Sequence, residues 1–433
     1  MSLIRETMFS ILLQDGPFST PDDLTVAPFS KIGRQTVALL VQHGEQTKYR
    51  VLRNQVFDLL GVHSYGEIEA LIQNPTARKE ATVKAYRLLG NMFGIRGSEG
   101  EVVATVNNYS HTADGVIRYL KDTVLDNFTS FIEMTNEVDA LFNPVELMLL
   151  MFDERYHKKA RFEAKRKLLL MNLAGSIDQR ERETNIESKF SEFLEFLNHY
   201  VWSPEGRIGE LELSYLFSEH GAADFSCQKC TVLSLDAGKD CQVAKGQKLT
   251  LLKRRRFIMD GISLPIYVSI RKKPPAAKVL KLIRKGEENP AVAVDHEHGL
   301  MAVLDSLADV KAFQAHLTRS AIAADSFMVL EDISDTLTTS ASYRQKNAGS
   351  SVDTKMLKFF ARLGGMRVEF IVHTNESYLN YMYQRGVAHD EYEVKRVFDS
   401  GAAALLFPED IYHLDMSFAR KRQIECCRSQ LEG

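Results

Sequence analysis

The chain lacks a long apolar segment and a strong charge of one sign. No apolar run reaches about 18 residues, the length that a membrane-spanning helix needs. The N-terminal sequence MSLIRETMFSILLQDG has too short and too interrupted an apolar stretch for a signal peptide. Lys and Arg number 54 against 57 Asp and Glu, so the formal charge of −3 gives no general affinity for nucleic acid or membranes. We therefore expect a soluble, cytoplasmic protein with no membrane partner, whose anion sites are local.

Cysteines and several catalytic signatures are also scarce. Five cysteines in 433 residues do not make a disulfide framework, which agrees with a reducing compartment. The motifs G-x-x-x-x-G-K-[ST], H-E-x-x-H and G-x-S-x-G do not occur, which argues against a P-loop NTPase, a zincin and an α/β-hydrolase. A hydrophobic content of 45% lets the chain bury a full core.

Helical periodicity dominates the first half of the chain, and shorter β-like segments follow it. We predict an N-terminal helical or mixed region at residues 1–105 and a long-helix region at 106–205, where Asn143 and Pro144 signal a helix start and Gly175 a stop. Segments such as KLTLLKRRRFIMDG and SLPIYVSIRKK predict an α/β domain at 210–415, followed by a tail at 416–433. The predicted fold class is α+β, a mainly helical first half followed by a mixed β-sheet flanked by helices.

Cations cluster where the predicted strand LPIYVSI ends and a helix begins. Arg271 and Lys273 directly follow the strand, and Lys278, Lys281 and Lys285 share the side of the helix opposite its apolar residues. We expect Lys278 and Lys285 on a solvated helix face. Arg271, Lys273 and Lys281 together predict a polyanion site, because α/β domains bind anions where a strand ends and a helix starts. The runs KRRR and KKARFEAKRK are expected to be solvated faces or RNA contacts.

A glutamate lies in the middle of the predicted strand MRVEFIVHT. Period-two alternation gives the strand two faces, with Val368, Phe370 and Val372 on one and Arg367, Glu369, Ile371 and His373 on the other. The first face is expected in the core. Glu369 suits either an open sheet face or a site, and Arg367 with His373 offers one way to neutralise it. Thr374 or Asn375 is expected to cap the next helix.

Taken in order, these segments resemble the synthetase domain of the RelA/SpoT family, which transfers pyrophosphate from ATP to the 3′-hydroxyl of GDP or GTP. VEFIVHT and GVAHDEY are similar to the family's V-E-x-Q-x-R-T and G-x-A-x-H-x-x-Y-like segments. RKKPPAAKVLKLIRK resembles the stretch that grips ATP phosphates, AVAVDHEHGLM resembles the D-x-x-G strand, and SYRQKN resembles G-Y-R-S-x-H. The resemblance covers about residues 250–400 and implies a RelA/SpoT synthetase-like fold there.

The resemblance also implies roles for individual residues. Asp295 would hold Mg²⁺, with Glu297 as the alternative ligand, and Glu369 would position or activate the attacking hydroxyl. Tyr343 would stack on the guanine. The implied substrate contacts are Arg271, Lys273, Lys281, Tyr343, Arg344 and His389. The implied substrates are ATP and a guanosine nucleotide or a tRNA, and the first half of the chain would regulate the site or recognise a protein partner.

Departures from the family pattern leave other functions open. Ile371 and His373 replace a glutamine and an arginine, and Asp295 lies one residue too far from Gly299. A non-catalytic nucleotide-sensing or RNA-binding adaptor that retains the fold is one alternative. A toxin-like transferase that modifies the 3′ end of tRNA is another.

A second constellation has the composition of a zinc site. One C-x-x-C pair, Cys227 and Cys230, has His220 and Cys241 close enough in sequence to complete a tetrahedral ligand set. The alternative is that these are ordinary buried cysteines in short strands. The sequence therefore offers zinc as a second cofactor besides Mg²⁺.

Overall fold

The computed structural model describes residues 46–204, 211–295, 298–337 and 353–433. Among these residues, helices occupy the chain up to 204 and all eight strands follow residue 211. The predicted α+β class, with a helical first half and a mixed sheet after it, is confirmed. No helix within these ranges has the length and apolar character to cross a membrane.

The chain forms two compact units, each built from separate stretches of sequence. The first comprises the described residues of Met1–Arg180, Pro274–Ala293 and Arg396–Arg420. The second comprises those of Glu181–Lys273, Val294–Lys395 and Lys421–Gly433. The domain boundaries drawn from the sequence remain predictions.

Seven α-helices lie between residues 46 and 184, the first stretch that the structure describes. They are α1 (Gln46–Leu60), α2 (Tyr65–Gln73), α3 (Pro75–Met92), α4 (Glu99–Tyr119), α5 (Asn136–Asp139), α6 (Pro144–Phe152) and α7 (Lys158–Thr184). Helix α6 starts as predicted, because the Asn143 side chain accepts a hydrogen bond from the Val145 N–H at 2.9 Å. Gly175 does not end a helix. It lies inside α7, where an added Cβ would come within 2.5 Å of the Phe93 ring, so this glycine permits close packing.

The second half of the basic run on α7 is not a solvated face. Lys165, Arg166 and Lys167 are all buried in the first unit. The Arg166 guanidinium donates to the Tyr412 hydroxyl oxygen at 2.8 Å, and the Lys167 ammonium lies 2.9 Å from the Asp114 carboxylate. These three cations are held by internal partners, so the expectation that KKARFEAKRK faces solvent or RNA is wrong for them, while Lys158 at its start is exposed.

Eight strands and ten further α-helices follow in the described residues after Thr184. They are α8 (Ile186–Phe196), β1 (Glu212–His220), β2 (Cys227–Ser234), α9 (Leu235–Lys239), β3 (Gln247–Met259), β4 (Ile262–Lys272), α10 (Pro275–Lys285), α11 (Ala291–Val294), β5 (His298–Leu304), α12 (Leu307–Ala323), β6 (Val329–Asp335), β7 (Leu357–Leu363), β8 (Met366–Thr374), α13 (Asn375–Tyr383), α14 (His389–Asp399), α15 (Ala402–Leu406), α16 (Glu409–Tyr412) and α17 (Met416–Glu432). Thr374, rather than Asn375, caps α13 by accepting from the Ser377 N–H.

The strands form one sheet in the order β2-β1-β3-β4-β5-β8-β7-β6. Of the strand pairs that the structure describes, β5 and β8 are parallel and the others antiparallel. Val368, Phe370 and Val372 are buried, as predicted. The Phe370 ring packs against Phe193 of α8 and Phe313 of α12, so these helices cover one face of the sheet. Helix α13 packs against the opposite face.

Helix α10 corrects one expectation about the cation cluster. Lys278 is 2% exposed, whereas Lys285 is exposed as expected. The helix packs against both α4 and α15 of the first unit, so its buried face is wider than the apolar residues alone indicate. The predicted solvated position of Lys278 is therefore wrong.

Candidate functional site

One row of paired residues crosses the centre of the sheet. Arg271 of β4 pairs with Gly299 of β5, Gly299 with Glu369 of β8, and Glu369 with Phe360 of β7. Directly paired residues present their side chains on the same face of a sheet. A Cβ added to Gly299 would lie 3.5 Å from the Cβ of Glu369 and 3.7 Å from its carboxylate oxygen. Because Gly299 has no side chain, Arg271 and Glu369 meet across β5.

Glu369 is held between cations from two other strands. Its carboxylate lies 2.8 Å from the Lys358 ammonium and 3.5 Å from the Arg271 guanidinium. Burial by itself raises the pKa of Glu369, but the charges of Lys358, Arg271 and Lys273 outweigh burial and lower it. The carboxylate is therefore ionised at neutral pH, and the cations around it outnumber it. We call Arg271, Lys273, Lys358 and Glu369 the Glu369 cluster.

The other polar residues of β8 do not neutralise Glu369. Arg367 donates to the Glu331 carboxylate at 2.9 Å and also to Asp332, so its charge is paired with acidic residues of β6. His373 is fully buried, and burial lowers its pKa to about 3. The neutral imidazole contacts the Lys355 carbonyl oxygen at 3.1 Å and the Ser377 hydroxyl at 3.2 Å. The expectation that Arg367 and His373 pair with Glu369 is wrong, because partners outside β8 take that role.

Aromatic rings lie next to the Glu369 cluster. Tyr381 of α13 packs its ring 5.2 Å from His373 and stacks on His389 of α14 at 5.0 Å. Burial raises the pKa of Tyr381, while the nearby Arg271 charge lowers it in part, so the phenol stays protonated at neutral pH. The His389 ring also lies 3.7 Å from the Glu393 carboxylate. Helices α13 and α14 thus add an aromatic wall with polar edges.

Of the residues predicted from sequence, Arg271, Lys273 and Glu369 come together. Lys358 was missed, although it lies closest to Glu369. Its signal was a charged residue next to the apolar residues of LKFFARL, the same kind of signal that singled out Glu369 in MRVEFIVHT. When two apolar strands each carry a charged residue and the two charges are opposite, the sequence indicates that the strands pair and that these residues face each other.

Other predicted residues are not brought into this cluster by the described structure. Lys281 belongs to the first unit, where its ammonium donates to the Val292 carbonyl oxygen. Tyr343, Arg344 and Glu297 lie outside the described residues. Their implied roles remain predictions.

The expected metal sites are not found. Within the described ranges, no group of three or more His, Cys, Asp or Glu residues is arranged to hold a metal ion. Asp295, the expected Mg²⁺ ligand, is exposed directly after the four-residue helix α11. The expectation of Mg²⁺ at Asp295 is therefore corrected.

The expected zinc ligands have other partners. His220 uses one ring nitrogen on the Ser218 hydroxyl at 2.8 Å and the other on the Phe225 carbonyl oxygen at 3.0 Å. The Cys241 thiol contacts the Gln242 carbonyl oxygen at 3.9 Å, and the Cys227 thiol donates to the Lys229 carbonyl oxygen at 3.6 Å. Because the four side chains do not converge, the zinc expectation is wrong as well.

Comparisons with known proteins leave the site's geometry as the main evidence. No family model, curated protein or solved structure matches the chain. The resemblance to RelA/SpoT synthetases therefore rests on the sequence motifs.

Proposed function

We propose that the Glu369 cluster binds the phosphates of a nucleotide and transfers pyrophosphate from ATP to the 3′-hydroxyl of a guanosine nucleotide or a tRNA. One observation carries this proposal, the largely buried Glu369 carboxylate held between Lys358 and Arg271. A RelA/SpoT synthetase-like arrangement of the sheet is part of the proposal, since the motif residues Arg271, Gly299 and Glu369 occupy three neighbouring strands.

The charges of the cluster suit this reaction. Phosphoryl transfer depends chiefly on positioning and on cations placed where negative charge builds. Arg271, Lys273 and Lys358 supply such cations on a partly water-excluded sheet face. An incoming polyphosphate would replace Glu369 as the partner of one or more of them.

Glu369 suits a positioning role. A carboxylate with a lowered pKa is a weak proton acceptor, so it contributes little as a general base at neutral pH. It accepts hydrogen bonds well in its ionised form. We therefore assign Glu369 the task of orienting the acceptor hydroxyl toward the donor phosphate.

A specific observation favours a second candidate, a nucleotide-sensing adaptor without catalysis. The Lys358 ammonium already forms an ion pair with the Glu369 carboxylate at 2.8 Å. Ile371 lies at the position where the family has a glutamine. Such a site would bind phosphates through its cations without orienting an acceptor. A regulatory protein partner of the helical first half would then respond to the bound nucleotide.

A transfer assay with matched variants tests the proposal. The protein is incubated with ATP labelled at the β phosphate and with GDP, GTP or bulk tRNA, and products are separated by thin-layer chromatography. Glu369→Gln should abolish transfer, whereas Glu331→Gln, the same change in a glutamate that pairs with Arg362 and Arg367, should retain it.

The possible outcomes separate the two candidates. Nucleotide binding that is lost in Arg271→Gln, without transfer to any acceptor, would support the adaptor. Equal transfer by the wild type and Glu369→Gln, or no binding at all by a folded protein, would overturn the assignment of the Glu369 cluster.

A further inference from the structure

The pairing of β1 with β2 contains an irregularity at the C-x-x-C segment. Cys227 pairs with His220 and Cys230 pairs with Ser218, with a register shift between Glu219 and His220. Cys227 and Cys230 are three positions apart on β2, but the residues that they oppose on β1, His220 and Ser218, are only two positions apart. Alternation places residues three apart on opposite faces of a regular strand, whereas the bulge places both cysteines on one face.

The bulge brings the two thiols within reach of each other. Both cysteines are free, and Cys230 packs against the buried cluster that contains Cys227. The Cys227 thiol donates to the Lys229 carbonyl oxygen at 3.6 Å. Residues that oppose positions two apart on a strand lie about 7 Å apart at Cα. That separation is near the upper end of the Cα distances that disulfides span. A disulfide between Cys227 and Cys230 therefore needs a small backbone shift, and the resulting strain makes it easy to reduce.

The environments of the two thiols differ. Cys230 is partly exposed, and its interaction with the Cys227 side chain lowers its pKa to about 7. Cys227 is buried, and the same interaction together with burial raises its pKa. Cys230 is therefore the accessible nucleophile, because thiol exchange proceeds through the thiolate. Cys227 is placed to attack second.

We propose that Cys227 and Cys230 form a thiol–disulfide exchange site for a low-molecular-weight disulfide such as glutathione disulfide. The Cys230 thiolate attacks one sulfur of the glutathione disulfide, and one glutathione leaves as its thiolate. Cys227 then loses its proton to solvent and attacks the Cys230 sulfur, which releases the second glutathione. The protein loses two electrons and two protons, and the glutathione disulfide becomes two glutathione molecules.

Closure of this disulfide would act on helix α13. The Cys227 N–H donates to the Asn380 side-chain oxygen at 2.7 Å, and Cys227 belongs to the same buried cluster as Tyr378 and Tyr381. The backbone shift at the bulge would therefore be transmitted to the helix that carries the aromatic wall. This exchange site stands independently of the proposed transferase activity, since it needs only the two thiols.

Redox titration of the full chain tests the proposal. The protein is equilibrated with glutathione buffers of increasing disulfide content, remaining thiols are alkylated, and peptides are analysed by mass spectrometry. We expect the wild type to form a Cys227–Cys230 disulfide that dithiothreitol reverses. Cys227→Ser should stop at a glutathione adduct on Cys230, and Cys230→Ser should form neither product.

Cys241→Ser provides the matched control, because Cys241 is also partly exposed and its thiol contacts the carbonyl oxygen of the neighbouring Gln242 at 3.9 Å. This variant should form the disulfide as the wild type does. A wild type that accumulates the adduct on Cys230 without closing, or that leaves both thiols unreacted when Cys241 reacts, would overturn the proposal. The wild-type result decides the matter even where a variant fails to fold.

Discussion

The Lys358 ammonium lies 2.8 Å from the Glu369 carboxylate, although Lys358 pairs along the backbone with Ile371. The ion pair is therefore a diagonal contact between β7 and β8 on the face opposite the phenylalanine core. Both side chains are largely buried, at 12% and 15% exposure. At such a position the loss of one partner costs more than the pair contributes, because the other charge stays in a poorly solvated site.

We expect Lys358→Met to destabilise the protein by about 3 kcal/mol, because the largely buried Glu369 carboxylate loses its closest ion-pair partner. Arg271, at 3.5 Å, would remain beside it. Urea unfolding at neutral pH measures the change. The double variant Lys358→Met/Glu369→Gln should recover part of the loss, since no buried charge is then left behind. Equal stability of the double variant and of Lys358→Met would contradict a direct coupling.

Stability should depend on pH through His373. Its pKa of about 3 in the folded protein lies below the 6.5 of an unfolded histidine, so the unfolded chain binds the proton first. The contribution is fully present above pH 6.5 and is lost by about 1.4 kcal/mol per pH unit as the pH falls from 6.5 toward 3. The free energy of unfolding, measured between pH 7.5 and 4.5, should fall more steeply for the wild type than for His373→Asn. Parallel slopes would show that His373 does not titrate in this way.

A side chain at Gly175 should lower the stability of the folded protein. We expect Gly175→Ala to destabilise the protein by about 1–3 kcal/mol, because the added Cβ would lie 2.5 Å from the Phe93 ring. Gly100→Ala is the matched control, since it is also helical and has nothing within 4 Å of the added Cβ. That variant should be neutral or slightly more stable. Thermal unfolding of both variants tests the difference, and equal shifts would rule out the packing explanation.

Arg271 should govern phosphate binding. We expect Arg271→Gln to weaken ATP binding by about tenfold or more, the usual effect of losing a hydrogen bond to a charged group. Arg362→Gln serves as the control, because Arg362 is half exposed and pairs with Glu331 on a different part of the sheet. Isothermal titration calorimetry at two salt concentrations measures both. Similar losses in the two variants would indicate a general charge effect rather than a site at Arg271.

Local features were predictable from the sequence because they depend on a few neighbouring residues. Alternation in MRVEFIVHT placed Phe370 in the core and Glu369 on the other face, and the Asn143–Pro144 pair correctly started α6. The order of a helical half and a mixed sheet followed from the same periodicities. Arg271, Lys273 and Glu369 were each singled out from the sequence, and the structure brings them together, while their roles remain predictions.

Tertiary structure decided the rest through strand order, register and helix packing. Strand order placed Lys358 beside Glu369, and burial kept His373 neutral and therefore unable to neutralise it. Packing of α10 against two helices buried Lys278. The bulge between β1 and β2 placed Cys227 and Cys230 on the same face of the sheet. The sequence by itself determined which side of each element is apolar. Only long-range pairing, which no local pattern specifies, determined which charges and thiols face one another.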